Sequence, residues 1–209
     1  MKKTLITLCL SLCCVMAFAQ SFEGTIVYKN SYKSKMPTVT DQQFTDMMGT
    51  TQTWSISGAA YRAELNGQLV QWQVYVPADN KLYTKMANSA DALWNDAAEN
   101  KDEVLSSELH KDVIEILGYK CDELVLNCKS GVQKYYFSKK LGIDARLFSN
   151  HKFGNWYAML SEAGAVPLKT IVDSPQFTIE SIATEIKPAK LDKALFVLPA
   201  GTTTSKNPY

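Results

Sequence analysis

The chain predicts a mainly β, α+β domain: a curved antiparallel sheet or half-open β-barrel with two or three short helices covering its mouth. Three observations carry this reading. About ten short runs alternate apolar and polar residues, and turns rich in Gly, Pro, Asn and Asp join most of them. Helical spacing occurs only in brief stretches, near residues 41–48 and after Asn155. The clearest long pattern is a hairpin within residues 113–138, whose arms flank the polar turn Lys129-Ser130-Gly131.

Residues 1–19 read as a secretory leader. Lys2 and Lys3 precede an apolar run from Thr4, which ends in Ala17-Phe18-Ala19. The run is shorter than the ~20 residues of a membrane span. Cleavage before Gln20 is expected, with a single half-barrel domain over 20–209 and a periplasmic or secreted location. Cys9, Cys13 and Cys14 follow Leu8, Leu12 and Cys13. None has the small residue before it that lipidation requires, so an unlipidated product is expected.

The formal net charge is +1, from 22 Lys and Arg against 21 Asp and Glu. A near-neutral chain lacks the concentrated cations that hold phosphate backbones, so nucleic acid is excluded as a partner. A monomer is expected.

Phe22, Gly24, Ile26 and Tyr28 alternate with Glu23, Thr25 and Lys29 in a first strand. After Pro37, Thr40-Asp41-Gln42-Gln43 has the form of a capping box. Phe44, Met47 and Met48 follow at helical spacing, and Gly49 ends the helix. Trp54–Ile56 and Tyr61–Leu65 are strands, and Asn66-Gly67 signals a two-residue hairpin. Val70, Trp72, Val74 and Val76 then share one face, opposite Gln71, Gln73 and Tyr75. Lys81–Met86 is the next strand. Residues 87–103 read as a solvated acidic loop pinned by Trp94, without the spacing of a calcium loop. A weak strand over 104–110 leads to the central hairpin. Ala145–Phe148 reads as a short strand. Asn155 caps a brief helix carrying Trp156, Met159 and Leu160. Val166–Asp173 and Gln176–Lys187 form a last hairpin, with a bulge or bend near Ser181 to reconcile two apolar phases. The C-terminal tail reads as loose and polar.

Cys121 and Cys128 are the cysteines outside the leader. On one extended strand they would lie roughly 23 Å apart. A disulfide needs Cα atoms within ~7 Å, so two free thiols are expected.

Phe22-Glu-Gly-Thr-Ile-Val-Tyr28, Tyr61-Arg62-Ala-Glu, Ile116-Leu-Gly-Tyr-Lys-Cys121, Tyr135-Tyr-Phe-Ser138, Val166-Pro-Leu-Lys169 and Phe196-Val-Leu-Pro199 occur in this order, after a leader ending Ala-Phe-Ala-Gln. This arrangement resembles uncharacterised secreted proteins of the Bacteroidetes type, a domain-of-unknown-function family similar to the lipoprotein carriers LolA and LolB. The resemblance implies a half-closed antiparallel barrel whose hollow holds acyl chains.

Neither His110 nor His151 lies in a metal-binding spacing, and no Gly-x-Ser-x-Gly elbow occurs. No catalytic residues, metal or cofactor are expected. The expected function is that of a periplasmic, non-enzymatic binding protein. Its partner would be an apolar small molecule, a lipid or a lipoprotein acyl chain, with peripheral contact to the envelope membrane. The expected cavity has Phe44, Met47 and Met48 as lid and Val70, Trp72, Val74 and Val76 as wall, with Trp156 and Met159 facing them. Trp72 is then the expected fluorescent reporter. The alternative is an envelope interaction module that binds a protein or glycan through exposed Tyr75, Tyr135 and Tyr136.

Overall fold

The computed structural model describes residues 21–208; the leader and its cleavage site lie outside them. Strand β1 (Gly24–Ser34) shows how alternation builds the domain: Gly24, Ile26, Tyr28, Asn30 and Tyr32 are buried, and the residues between them are not. One face thus carries the apolar surface, and burial of that face drives the sheet together.

Eleven further strands follow: β2 (Thr51–Ser57), β3 (Ala60–Leu65), β4 (Val70–Val76), β5 (Lys81–Met86), β6 (Ala92–Asp96), β7 (Val104–Ile116), β8 (Tyr119–Cys128), β9 (Gly131–Gly142), β10 (Ala165–Asp173), β11 (Phe177–Pro188) and β12 (Thr204–Lys206). They form one sheet in the order β12-β6-β5-β4-β3-β2-β1-β11-β10-β9-β8-β7. Every pairing is antiparallel except β12 on β6. The ends, β12 and β7, do not meet, so the barrel stays open.

Among the described residues two α-helices join the sheet, α1 (Asp41–Met48) and α2 (Trp156–Ala163). Trp156 of α2 packs on Trp54 of β2 and Tyr61 of β3, while α2 also contacts β8, β9 and β10. Strands β2 and β8 are five positions apart in the sheet. Laid flat they would be about 24 Å apart, at ~4.8 Å per strand. A helix is only about 10–12 Å across. The sheet must therefore curl around α2, which fills much of its hollow.

Helix α1 begins as its sequence predicts. Thr40 accepts from the Gln43 amide, and the Gln43 side chain accepts from the Thr40 amide. Its last turn is tied to the segment after β3: the Gln68 and Leu69 amides donate to the Asp46 and Met47 carbonyls, both at 2.9 Å. Gly67 is not the left-handed hairpin glycine that Asn66-Gly67 suggests. It is needed because a Cβ there would collide with the backbone of Met47 and Met48.

Four other expectations are corrected. The segment 87–103 contains β6, which pairs with β5. Ala145–Phe148 is a 3-10 turn, capped by Asp144, and not a strand. The tail is not loose, since β12 adds to the sheet edge. The bulge of β11 lies at Thr184, where the pairing jumps from Ala183 opposite Tyr28 to Glu185 opposite Val27. Cys121 and Cys128 are both buried and free on β8.

Candidate functional site

The hollow is organised by rings. Trp54, Tyr61 and Tyr75, from β2, β3 and β4, face Phe148, His151 and Trp156. Tyr75 packs tilted against His151 with centroids 4.2 Å apart, and Tyr61 stacks on the same imidazole at 5.7 Å. The Tyr61 hydroxyl and His151 Nε2 share a hydrogen bond of 2.8 Å. His151 is 1% exposed, and its Nδ1 has no partner. Burial lowers its pKa to about 4, because a charged imidazolium would lose its hydration. Burial also pushes the Tyr61 phenol up.

Beside this box a pocket of about 160 Å³ remains open, lined by Tyr28, Gln52, Trp54, Trp156, Pro167, Thr170 and Ser181. Its geometry follows from register. Tyr28 lies opposite Gln52 on one side and Ala183 on the other, and Thr170 lies opposite Ser181. The Tyr28 hydroxyl donates to the Pro167 carbonyl at 2.7 Å, which fixes one wall. No lining side chain is charged. A cavity of roughly 150 Å³ holds a benzene ring, whereas drug-sized ligands need about 300–1,000 Å³. The pocket therefore fits a ring or a chain terminus, not a whole long acyl chain.

Next to it, Asn30 lies directly opposite Ser181. Asn30 is 3% exposed, and neither Oδ1 nor Nδ2 has a hydrogen-bond partner; the Tyr32 hydroxyl and the Trp156 Nε1 are likewise buried and unpaired. Burial raises the Tyr32 pKa, and the Asn30 carboxamide beside it, which interacts with the phenol without reaching full hydrogen-bond geometry, lowers it.

The residues expected to form a cavity are split by the structure. Trp156 lines the pocket and Met159 is buried in the core beside it. Phe44 packs on Tyr32 and Phe177 of the inner face, so α1 walls one end of the hollow. Met47 and Met48 are half-buried on the same helix. The stripe Val70, Trp72, Val74, Val76 does not form a wall. A register shift between Val70 and Trp72 breaks it: Val70 pairs with Met86, but Trp72 pairs with Lys85. Val70 is left in phase with inward Leu82, while Trp72, Val74 and Val76 turn to the outer face. There Arg62 stacks on Trp72 at 4.9 Å. Val74 is fully buried on that side, where the 3-10 turn Lys193–Phe196 crosses β3 and β4. The aromatics of the alternative reading are also moved: Tyr75 and Tyr135 are buried, and Tyr136 donates to Glu123 at 2.6 Å.

Sequence reasoning missed Tyr28, Asn30, Gln52, Trp54, Pro167, Thr170 and Ser181. One signal was present. Tyr28-x-Asn30-x-Tyr32 continues the inward phase of β1, and a carboxamide in a buried phase marks a position with a polar task.

A second polar group, at the start of α2, is satisfied. Asp102 accepts from the Ser130 amide and hydroxyl, from Gln133 and from Asn155. Asn155 Nδ2 also lies 3.3 Å from the Cys128 sulfur. Burial, then Asp102, push the Cys128 thiol up to about 11, which makes it a poor nucleophile. Among the described residues no group of three or more His, Cys, Asp or Glu could hold a metal ion, and no helix is long and apolar enough to cross a membrane.

No protein-family model and no curated protein sequence matches the chain. Among solved structures it resembles an uncharacterised conserved protein from Thermus thermophilus, with TM-score 0.47, 9% identity, and 88% of this chain aligned to 91% of that one. It also resembles PNGF-II, with TM-score 0.47 and 16% identity over 90% of this chain, but only 32% of that one. A LolA superfamily protein from Nitrosomonas europaea gives TM-score 0.38 and 8% identity, over 86% of this chain and 91% of that one.

Proposed function

We propose that the protein is a non-enzymatic binding protein of the cell envelope, which holds the apolar end of a lipid or acylated ligand in its curled sheet. The supporting observation is the open pocket between Trp156 of α2 and the inner face, walled by Tyr28, Trp54 and Pro167. Aromatic walls without charge suit an apolar group, since burying each CH₂ gains about 0.8 kcal/mol. The pocket volume restricts the ligand's inserted part to a ring or a few carbons. Deeper entry of a chain requires α2 to shift, because α2 occupies the rest of the hollow. Cys128 is held protonated and His151 is paired with a phenol, so neither is poised for nucleophilic or base chemistry.

The test is a titration of tryptophan emission with hexanoic and hexadecanoic acids. A saturable change that Trp156→Phe or Trp54→Phe reduces, and Trp72→Phe does not, is expected. No saturable change with either acid would end this reading.

The interaction-module reading keeps one supporting feature, on different residues from those first expected. Strand β7 is a sheet edge, and along it Leu105, Leu109, Val113 and Ile114 are exposed. Such an edge can take an added strand. Its register breaks between His110 and Ile114, and a broken register discourages long pairing. If this reading held, Leu109→Lys would abolish concentration-dependent association in sedimentation runs.

A further inference from the structure

Both ends of the Asn30 carboxamide are buried and short of a hydrogen bond, as are the Tyr32 hydroxyl two residues on along the same face and the Nε1 of Trp156 on α2. Asn30 and Tyr32 are near enough for the carboxamide to lower the phenol's pKa, without meeting hydrogen-bond geometry. Leaving such an atom unpaired costs about 1–3 kcal/mol. In the Asp102 and Asn155 cluster the same fold satisfies its buried carboxamide fully, with Asn155 Oδ1 accepting from Asn100 at 2.7 Å. The deficit at Asn30 is therefore local. It also lies directly behind the pocket lining, which Asn30 itself does not join: Tyr28, two residues before Asn30 on the same face, lines the pocket, as does Ser181 directly opposite. Thr170, opposite Ser181, extends this polar row.

We infer that Asn30, with Ser181 and Thr170, is a recognition centre for a neutral amide, so that the pocket binds an amphiphile with an amide beside a ring or short apolar arm. The inference rests on the binding reading above and names the chemistry of its ligand. A carboxamide offers one donor and one acceptor side by side. An amide presents the complementary pair and can answer both. An ester accepts but cannot donate. A carboxylate only accepts, and entering a pocket with no charged lining residue would strip its hydration without a counter-ion. A hydrocarbon leaves both ends of Asn30 unpaired. The Trp54 and Trp156 rings take the apolar arm, and the free Trp156 Nε1 adds a donor for a carbonyl oxygen.

The experiment is an NMR titration that follows the Trp indole signals with benzamide, methyl benzoate, benzoate and toluene. These probes share a ring and differ in the polar group. Saturable shifts of the Trp54 and Trp156 signals are expected, with benzamide binding at least tenfold tighter than any of the other three. Asn30→Leu, similar in size, should erase that preference while leaving toluene binding and the melting temperature undiminished. If Asn30→Leu fails to fold, Thr170→Val at the pocket margin serves instead and should reduce the preference at least threefold. Toluene binding without an amide preference in the wild type would overturn the inference and leave the binding reading standing. So would an Asn30→Leu protein that keeps the preference. No saturable shift with any probe would remove both.

Discussion

The Tyr61 hydroxyl and His151 Nε2 lie 2.8 Å apart inside a box of rings, and no carboxylate partners the imidazole. The imidazole is stable there only while neutral. Its folded pKa, about 4, lies below the ordinary value of 6.5. Between these values the unfolded chain binds a proton that the folded chain refuses, so stability falls as pH drops from about 6.5 towards 4. The loss approaches about 3 kcal/mol, at ~1.4 kcal/mol per pKa unit. Urea unfolding at pH 7, 5.5 and 4.5 should show it. His151→Gln should flatten the profile over that window, and an unchanged slope would refute the assignment.

Gly67 is held against the backbone of Met47 and Met48. Gly67→Ala forces these segments apart and should cost about 1–3 kcal/mol, as overpacking does. The amides of Gln68 and Leu69, which donate to α1, should exchange faster in the variant. Equal exchange rates would mean that α1 is not anchored through this turn.

The general architecture was legible because alternation reports directly which face of a strand is buried. β1 illustrates this, with Ile26, Tyr28 and Tyr32 all inward. The wall stripe was misread for the same reason. Alternation continues unbroken from Val70 to Val76 in sequence, but one extra residue in the pairing with β5 turns Trp72 and Val74 outward. Whether Tyr75 or Val74 faces the hollow depends on that register, and burial does not tell them apart: Tyr75 is covered by the rings of the hollow and Val74 by the C-terminal segment on the outer face. The β12–β6 pairing joins segments over a hundred residues apart, and no local pattern reports it. The pocket was hidden because its residues come from β1, β2, β10, β11 and α2, each unremarkable alone.

In a chain beginning at Gln20, thiol titration should find two reactive groups in denaturant without reductant, those of Cys121 and Cys128. Both are buried in the fold, and the Cys128 pKa is pushed up to about 11. A thiol reagent at pH 8 should therefore modify the native protein at least tenfold more slowly than the denatured chain. A titration that finds no thiol in denatured monomer would contradict the strand that separates them.

Asn155 combines two roles that substitutions can separate. Its backbone is left-handed, with φ 63°, directly after Gly154 at the same angle. Its side chain joins Asn100, Asp102 and Cys128 at the start of α2. Asn155→Gly keeps the backbone angle accessible and removes only the carboxamide. That leaves Asp102 one donor short and should cost about 1–3 kcal/mol. Asn155→Ala removes the same bonds and adds the left-handed penalty of about 1–2 kcal/mol for a residue with a Cβ. Alanine should therefore be the more damaging change, although it is the better helix former. Unfolding midpoints of the two variants decide the matter. If glycine and alanine cost the same, the backbone angle carries no strain. If both are neutral, the polar cluster does not hold α2 in the hollow, and the helix that restricts the pocket is free to move.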